Sequence, residues 1–281
     1  MPQTLPLNNG NIKKDPGPAL GAETPGRYPL FGTSLLATSY DGFTRYCQVL
    51  AAEPRVSAFE FANTQIVTLR RHSPEFRRIT DVYDGFIPDG MPLVWIMNRW
   101  GAHLDDQVYG PTFFRHFIQR AGETGSHYLL GGSPECGVRL RAAIRQWNPA
   151  CQVVGAYHGP CRSDGLLAGD GEAQVLAELD RLSPDYLWVG LGTPKQQAWT
   201  FRHKERLRRG VILSVGFAFD VNAGTKPDAP RWMQRQGLTW LFRLVTEPGR
   251  LGGRYFKYNS LFLYYLVRDG VFKRGTPAAS G

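Results

Sequence analysis

The stretch IPDGMPLVW (87–95), followed shortly by VYGPT (108–112), decides how the chain is interpreted. An apolar approach ends at Pro88, a carboxylate follows at Asp89, and an apolar run begins directly after Gly90. Proline and glycine around a carboxylate, between two buried-looking segments, predict a side chain held at a loop tip after a strand. Ligands bind at that position in alternating α/β proteins. A turn aspartate that caps the following helix is the structural alternative.

Units of strand, glycine-rich loop and helix continue beyond this stretch and are typical of a parallel sheet. The strands predicted to end in such loops are His127–Leu130, Gln152–Ala156, Tyr186–Gly190 and Val211–Val215. Continuous apolar runs such as YLWVG and VILSV indicate a sheet that is covered on both faces. The sequence therefore predicts an α/β fold and leaves the strand order open.

Charge is distributed unevenly along the 281 residues. Residues 1–200 carry 18 Lys and Arg against 19 Asp and Glu, whereas residues 201–281 carry 15 against 5. This asymmetry predicts an anionic partner for the C-terminal part, which could be a nucleic acid, a membrane surface or a phosphorylated substrate.

The termini and cysteines indicate a cytosolic chain. The N-terminus has no apolar signal region, and no run is long enough to span a bilayer. Four cysteines (47, 136, 151 and 161) lack metal-site spacing and are interpreted as reduced thiols. We predict a disordered tail over residues 1–27 and a flexible tail over residues 271–281.

Residues 229–270 have a different composition, with helical segments in which tryptophan, tyrosine and phenylalanine interleave with arginine. Such helices are typical of a membrane interface. A helical hairpin packed on the sheet, a nucleic-acid groove and an interface between copies of the chain are the alternatives.

Common catalytic motifs are absent: the sequence has no GxGxxG, Walker A, GxSxG, HExxH or Asp-x-Asp, and its six histidines are scattered. We therefore predict neither a metal site nor a cofactor. Four glycine-rich loops remain at predicted strand ends, and their backbone N–H groups could contact an anion. The candidate ligand-binding residues in these loops are Gly131, Gly132, Gly159, Gly190, Gly192 and Lys195. Tight turns without a ligand are the alternative.

Collinear blocks carry a resemblance to a known family. The blocks are Asn63, PDGMPLVW (88–95), GPTFF (110–114), YLLGGSPE (128–135), VGAYHGP (154–160), PDYLWVGLGTPKQQAW (184–199), SVGFAFDVNAG (214–224) and LTWLFRLVTEPGRLGGRY (238–255). Together they resemble the WecG/TagA/CpsF family of bacterial glycosyltransferases.

The resemblance implies an inverting, metal-independent transfer of a sugar from a UDP-sugar to a polyprenyl-diphosphate-linked saccharide, in exopolysaccharide or cell-surface polymer biosynthesis. It implies a Rossmann-like core at 28–228 with helices on both faces of a parallel sheet, and a helical appendage at 229–270 that docks on the membrane. The partners would be the two substrates and an anionic membrane surface, not nucleic acid, and the protein would be peripheral on the inner face of the cytoplasmic membrane.

The same resemblance assigns roles to residues. Asp89 falls on the family's proposed general base, Asn63 on a polar position that orients substrate, and Gln196 on a pocket glutamine. The matching arginines of the appendage, expected to contact lipid phosphates or the acceptor diphosphate, are Arg243, Arg250 and Arg254.

The chain departs from the family pattern at several positions. Phe61 stands where threonine is frequent, Gln107 where arginine is common, and Asp228 where arginine is usual. By the resemblance, Phe61 and Gln107 would lie near the acceptor or donor diphosphate, so these two residues leave the donor sugar open. Two other hypotheses are a dinucleotide-dependent oxidoreductase, which the missing GxGxxG disfavours, and a non-catalytic protein that binds anionic polymers through its basic C-terminal part.

Overall fold

The computed structural model describes residues 24–271, apart from the side chain of Arg250. The predicted tails at 1–27 and 271–281 lie largely outside the described residues. The first strand begins at Gly26, two residues before the predicted start of the core.

Within residues 24–271, eight strands form one sheet in the order β1-β2-β4-β3-β8-β7-β5-β6. The strands are β1 (Gly26–Leu30), β2 (Thr33–Ala37), β3 (Val56–Ala62), β4 (Gly85–Pro88), β5 (Ser126–Gly131), β6 (Gln152–Tyr157), β7 (Tyr186–Gly190) and β8 (Gly210–Ser214). The hairpin β1–β2 is antiparallel, and every other pair is parallel. The predicted α/β class with a parallel sheet is confirmed.

Helices cover both faces of the sheet. They are α1 (Tyr40–Ala51), α2 (Thr64–His72), α3 (Pro74–Thr80), α4 (Met91–Arg99), α5 (Gly110–Ala121), α6 (Pro134–Trp147), α7 (Gly171–Leu182), α8 (Lys195–His203), α9 (Ala218–Asn222), α10 (Arg231–Arg235), α11 (Thr239–Thr246) and α12 (Pro248–Arg268). Several begin at a side-chain cap that satisfies a free backbone N–H, for example Ser39 on Gly42 and Ser133 on Cys136.

An apolar core lies on each side of the sheet. On one side, Phe114 and Phe117 of α5 meet the edge of Trp188 at ring-centroid distances of 4.8 and 5.3 Å. On the other side, Tyr128 of β5 and Trp199 of α8 are fully buried. These two cores explain why β5, β7 and β8 consist of nearly continuous apolar residues.

The C-terminal helices continue the second core. Phe262 and Tyr265 of α12 contact Phe31 at ring-centroid distances of 5.8 and 5.9 Å, and Arg71 of α2 pairs with Asp269 at 3.2 Å. The predicted appendage at 229–270 is therefore helical and packs on α2 and on the turn between β1 and β2. Within residues 24–271, no helix combines the length and apolar character needed to cross a membrane.

Candidate active site

A cleft of about 340 Å³ opens where β3, β4, β7 and β8 end. These four strands are neighbours in the sheet, and the loops after them form the floor and walls of this main cleft. Helices α11 and α12 close it from the side with Arg243 and Arg254. A smaller side lobe of about 60 Å³ adjoins it and is lined by Gln107, Tyr109 and Trp240, among others.

Asp89 follows β4 directly and lines both the main cleft and the side lobe. Its backbone N–H donates to the carbonyl of Ala62 at 2.8 Å, and its Oδ1 accepts from the N–H of Gly110 at 3.2 Å. Burial raises the pKa of Asp89 to about 8, while the Gly110 hydrogen bond and the charge of Arg243 act in the opposite direction. The cleft thus holds a carboxylate that accepts a proton near neutral pH.

Asn63 lies beside Asp89 at the end of β3 and lines both parts of the cleft. Its Oδ1 accepts from the N–H of Ile66 at 3.2 Å, so the side chain caps α2. The capping bond orients the amide group at the cleft wall. The Asn63 side chain can therefore cap α2 and contact a substrate in the cleft at the same time.

The loop after β7 forms another wall. Gly190 and Gly192 line the main cleft, and Gly192 has a φ of +77°, which favours glycine. Lys195 also lines the cleft, and its Nζ donates to the carbonyl of Cys161 at 2.7 Å. The Lys195 ammonium group therefore stabilises the loop that contains Cys161, and it also contributes positive charge to the wall of the cleft.

Gln196 is 2% exposed, and both ends of its amide are engaged within the protein. Oε1 accepts from the N–H of Gly192 at 3.2 Å, and Nε2 donates to Oε1 of Glu60 at 2.9 Å. Gln196 also lines the main cleft, and its hydrogen bonds hold the loop after β7 in position.

Three glycines predicted as ligand-binding do not line the main cleft or the side lobe. A Cβ at Gly131 would lie 2.6 Å from the Gly190 backbone, and one at Gly159 would lie 2.3 Å from the Tyr157 hydroxyl. A Cβ at Gly132 would lie 3.0 Å from Sγ of Cys136. Close packing therefore explains glycine at these positions.

Two of the three predicted arginines reach the main cleft, and the side chain of Arg250 lies outside the described residues. The guanidinium of Arg243 lies over the ring of Phe217 at 3.8 Å from its centroid. Burial lowers the pKa of Arg254, and its Nε is buried without a hydrogen-bond partner among the described residues. Such a donor is available to an anion in the cleft.

The structure also shows where the residues that depart from the family pattern lie. Phe61 is buried and contacts Phe113 at a ring-centroid distance of 5.2 Å, and Gln107 is buried in the wall of the side lobe. Asp228 accepts from the Tyr109 hydroxyl at 2.6 Å, and burial raises its pKa. The wall of the side lobe therefore has an uncharged amide at position 107, and a carboxyl group lies behind Tyr109 at position 228.

Sequence reasoning missed Glu60, a carboxyl group in the middle of β3 that lines the main cleft. Burial raises its pKa to about 8. The signal that could have found it is a lone carboxylate in the otherwise apolar run VSAFEFA (56–62). Among the described residues, no three or more His, Cys, Asp or Glu side chains are grouped so that they could hold a metal ion.

Comparison with known proteins identifies sequence relatives of the chain. The sequence model of the Glycosyl transferase WecG/TagA/CpsF family matches residues 28–276. An N-acetylglucosaminyldiphosphoundecaprenol N-acetyl-beta-D-mannosaminyltransferase of Staphylococcus aureus is 24% identical over 208 residues, which cover 74% of this chain and 78% of the relative. A protein of the same name from Bacillus spizizenii is 24% identical over 190 residues, covering 67% and 71%.

Proposed function

The chain belongs to the glycosyl transferase WecG/TagA/CpsF family, and on that premise we propose that it transfers a sugar from a UDP-sugar to a polyprenyl-diphosphate-linked saccharide. The transfer inverts the anomeric centre, needs no metal ion and serves exopolysaccharide or cell-surface polymer biosynthesis. The names of the two relatives, which specify a diphosphoundecaprenol-linked sugar, support the acceptor class. Membership in a glycosyltransferase family leaves the oxidoreductase and the non-catalytic binding protein without support.

One observation carries the mechanism: among residues 24–271, Asp89 is the one carboxylate that lines both the main cleft and the side lobe. The donor occupies the main cleft, and the acceptor sugar occupies the side lobe. The Asp89 carboxylate takes the proton of the acceptor hydroxyl as that oxygen bonds to the anomeric carbon. The bond from this carbon to the diphosphate breaks, and UDP leaves with the electron pair.

The main cleft has groups that suit a departing diphosphate. Lys195, Arg243 and Arg254 line it together with the glycine loop at 190–192. Cations and backbone N–H groups fixed before the reaction stabilise the charge that develops on the leaving oxygen. Lys226 also lines the cleft, although Glu247 pairs with it at 3.0 Å and Asp220 at 3.7 Å. These groups supply the charge stabilisation that a metal ion supplies in other transferases.

A lipid-linked acceptor places the reaction at a membrane surface. Exposed apolar side chains lie on α11 and α12, among them Val245, Phe256 and Val267, which are 73–79% exposed. Apolar side chains beside lysine and arginine favour peripheral binding to an anionic bilayer. The protein acts from the inner face of the cytoplasmic membrane.

The test is UDP release from a panel of UDP-sugars with a short-chain prenyl-diphosphate-linked acceptor, with and without EDTA. Release with one donor, unchanged by EDTA, is the expected result and identifies the sugar. Loss of release in EDTA, with recovery on adding a divalent cation, would contradict the metal-independent mechanism. Failure of UDP to bind by calorimetry would contradict the UDP-sugar donor itself.

A further inference from the structure

Glu60 is a buried carboxyl group in the wall of the main cleft, with no role in the transfer described above. Its neighbours Phe59 and Phe61 point into the core that contains α5, whereas Glu60 is on the opposite face of β3 and turns towards α8. It is 1% exposed. Burial of a carboxyl group at this depth is unfavourable unless other groups hydrogen-bond to it.

Two amides converge on one oxygen of Glu60. Nε2 of Gln196 donates to Oε1 at 2.9 Å, and Nε2 of Gln197 donates to the same atom at 2.8 Å. Each glutamine then contacts the loop after β7, because Oε1 of Gln196 accepts from the N–H of Gly192 and Nε2 of Gln197 donates to Oγ1 of Thr193 at 3.2 Å. Glu60 therefore connects β3 to a wall of the cleft.

The chemistry of these groups fixes their orientation. A glutamine amide has a donor end and an acceptor end, and its two orientations are similar in shape. The acceptor at Glu60 requires the Nε2 end of Gln196, which leaves Oε1 for the N–H of Gly192. The carbonyl of Ser214 accepts from the same Nε2 at 3.5 Å, a much longer bond. Without an acceptor at position 60 the amide would therefore be held weakly, and its rotation would remove the partner of the Gly192 N–H.

Glu60 acts as a hydrogen-bond acceptor towards both glutamines, and this role does not require a negative charge. Tyr83 after α3 and Asp89 after β4 are ionisable groups that act on the pKa of Glu60. Burial raises the pKa of Glu60 to about 8 in spite of the hydrogen bonds from Gln196 and Gln197. A neutral acid keeps its carbonyl oxygen, so both amide bonds persist in either protonation state.

We propose that Glu60 is a positioning residue of the donor site, which orients Gln196 so that the loop 190–195 presents its backbone N–H groups and Lys195 to the donor diphosphate. This role rests on the proposed UDP-sugar donor. Glu60 affects donor binding and not acceptor binding, since it lines the main cleft but not the side lobe.

The test compares Glu60→Met with Glu60→Gln. Methionine keeps the length of the side chain without an oxygen, whereas glutamine keeps a carbonyl oxygen for the two amides. We expect Glu60→Met to weaken UDP binding by about tenfold or more in calorimetry and to raise the KM for the UDP-sugar, with little change in the KM for the acceptor. Glu60→Gln should restore most of the affinity. Amide hydrogen exchange of the segment 190–196 should accelerate in Glu60→Met and not in Glu60→Gln.

A second pair of variants covers the case in which Glu60→Met does not fold. Gln196→Met removes the same connection from its other end and should reproduce the loss of UDP affinity, with a smaller loss in Gln197→Met. The positioning role would be overturned if Glu60→Met or Gln196→Met kept the UDP affinity and the amide hydrogen exchange of the wild type. It would also be overturned if Glu60→Gln lost as much UDP affinity as Glu60→Met. Absence of UDP binding in the wild-type protein would instead overturn the proposed donor.

Discussion

The backbone N–H of Gly110 donates a 3.2 Å hydrogen bond to Oδ1 of Asp89. Gly110 is the first residue of α5, so the carboxylate faces the N-terminus of a helix, where negative charge is stabilised. This bond and Arg243 lower the pKa of Asp89, but burial outweighs both and raises it to about 8. The structure thus holds the Asp89 carboxylate in place and keeps its proton affinity high.

Replacing Asp89 by Asn should abolish most of the transfer without disturbing the donor site. Asparagine retains an oxygen that can accept from Gly110 but cannot take a proton from the acceptor hydroxyl. We expect kcat to fall by about a thousandfold, within the range for removal of a general base. UDP affinity measured by calorimetry should stay close to the wild-type value. Turnover of the variant at a rate near wild type would contradict the assignment of Asp89 as the base.

The same substitution should stabilise the fold in a pH-dependent manner. Since the folded-state pKa of Asp89 is about 8 against an ordinary value of 3.8, ionisation of the native carboxyl is unfavourable. The wild-type protein therefore loses stability as pH rises between these two values, and above about 8 the loss is complete. Asp89→Asn does not lose this stability, so its gain should be near zero at about pH 4 and reach about 5 kcal/mol at about pH 8. Urea unfolding of both proteins at several pH values measures it, and a gain that shrinks with rising pH would contradict the raised pKa.

The midpoint of the pH–rate profile should shift in opposite directions in two variants. Because the base must be ionised, kcat/KM should rise with pH and level off above about 8. The charge of Arg243 lowers the pKa of Asp89, and that of Asp228 raises it. Arg243→Met should therefore shift the midpoint to higher pH, and Asp228→Asn should shift it to lower pH. A pH–rate profile of the three proteins tests this, and shifts of equal sign would contradict the electrostatic account.

Local patterns in the sequence predict the class of the fold and the position of Asp89. Apolar runs mark the buried strands, and the proline and glycine around Asp89 place it at a strand end. Strand order is not encoded locally, because it depends on which helices pack on which face. Arg254 reaches the cleft because α12 packs on α2, and Arg243 reaches it because α11 packs on α12. No local pattern in the sequence specifies either contact.

The glycine-rich loops and Glu60 show which features of the site sequence motifs do not predict. Gly190 and Gly131 both follow the pattern of a ligand loop, yet only Gly190 lines the cleft, because close packing also requires glycine. Glu60 meets Gln196 across 136 positions of sequence, so its role becomes visible only in three dimensions. Composition predicted aromatic and basic helices at 229–270, but it could not show that Tyr255 and Phe262 are buried while Phe256 is exposed.

Membrane binding should depend on the exposed apolar face of α12. Phe256 and Val267 are each 79% exposed, whereas Phe262 and Tyr265 on the same helix are buried against Phe31. Deleting the helix would uncover that core, so point substitutions on the exposed face are the sharper test. The double variant Phe256→Ser with Val267→Ser should bind vesicles of phosphatidylglycerol and phosphatidylethanolamine about tenfold more weakly in sedimentation, because less apolar area enters the interface.

A matched control distinguishes this face from general surface hydrophobicity. Val138 on α6 is 73% exposed and lies far along the chain from α12, so Val138→Ser should sediment with vesicles like the wild type. UDP affinity of the double variant should be retained, because neither Phe256 nor Val267 lines the main cleft. Vesicle binding should weaken at high salt, as expected for lysine and arginine beside anionic lipid. Equal sedimentation of the double variant and the wild type would contradict α12 as the docking helix.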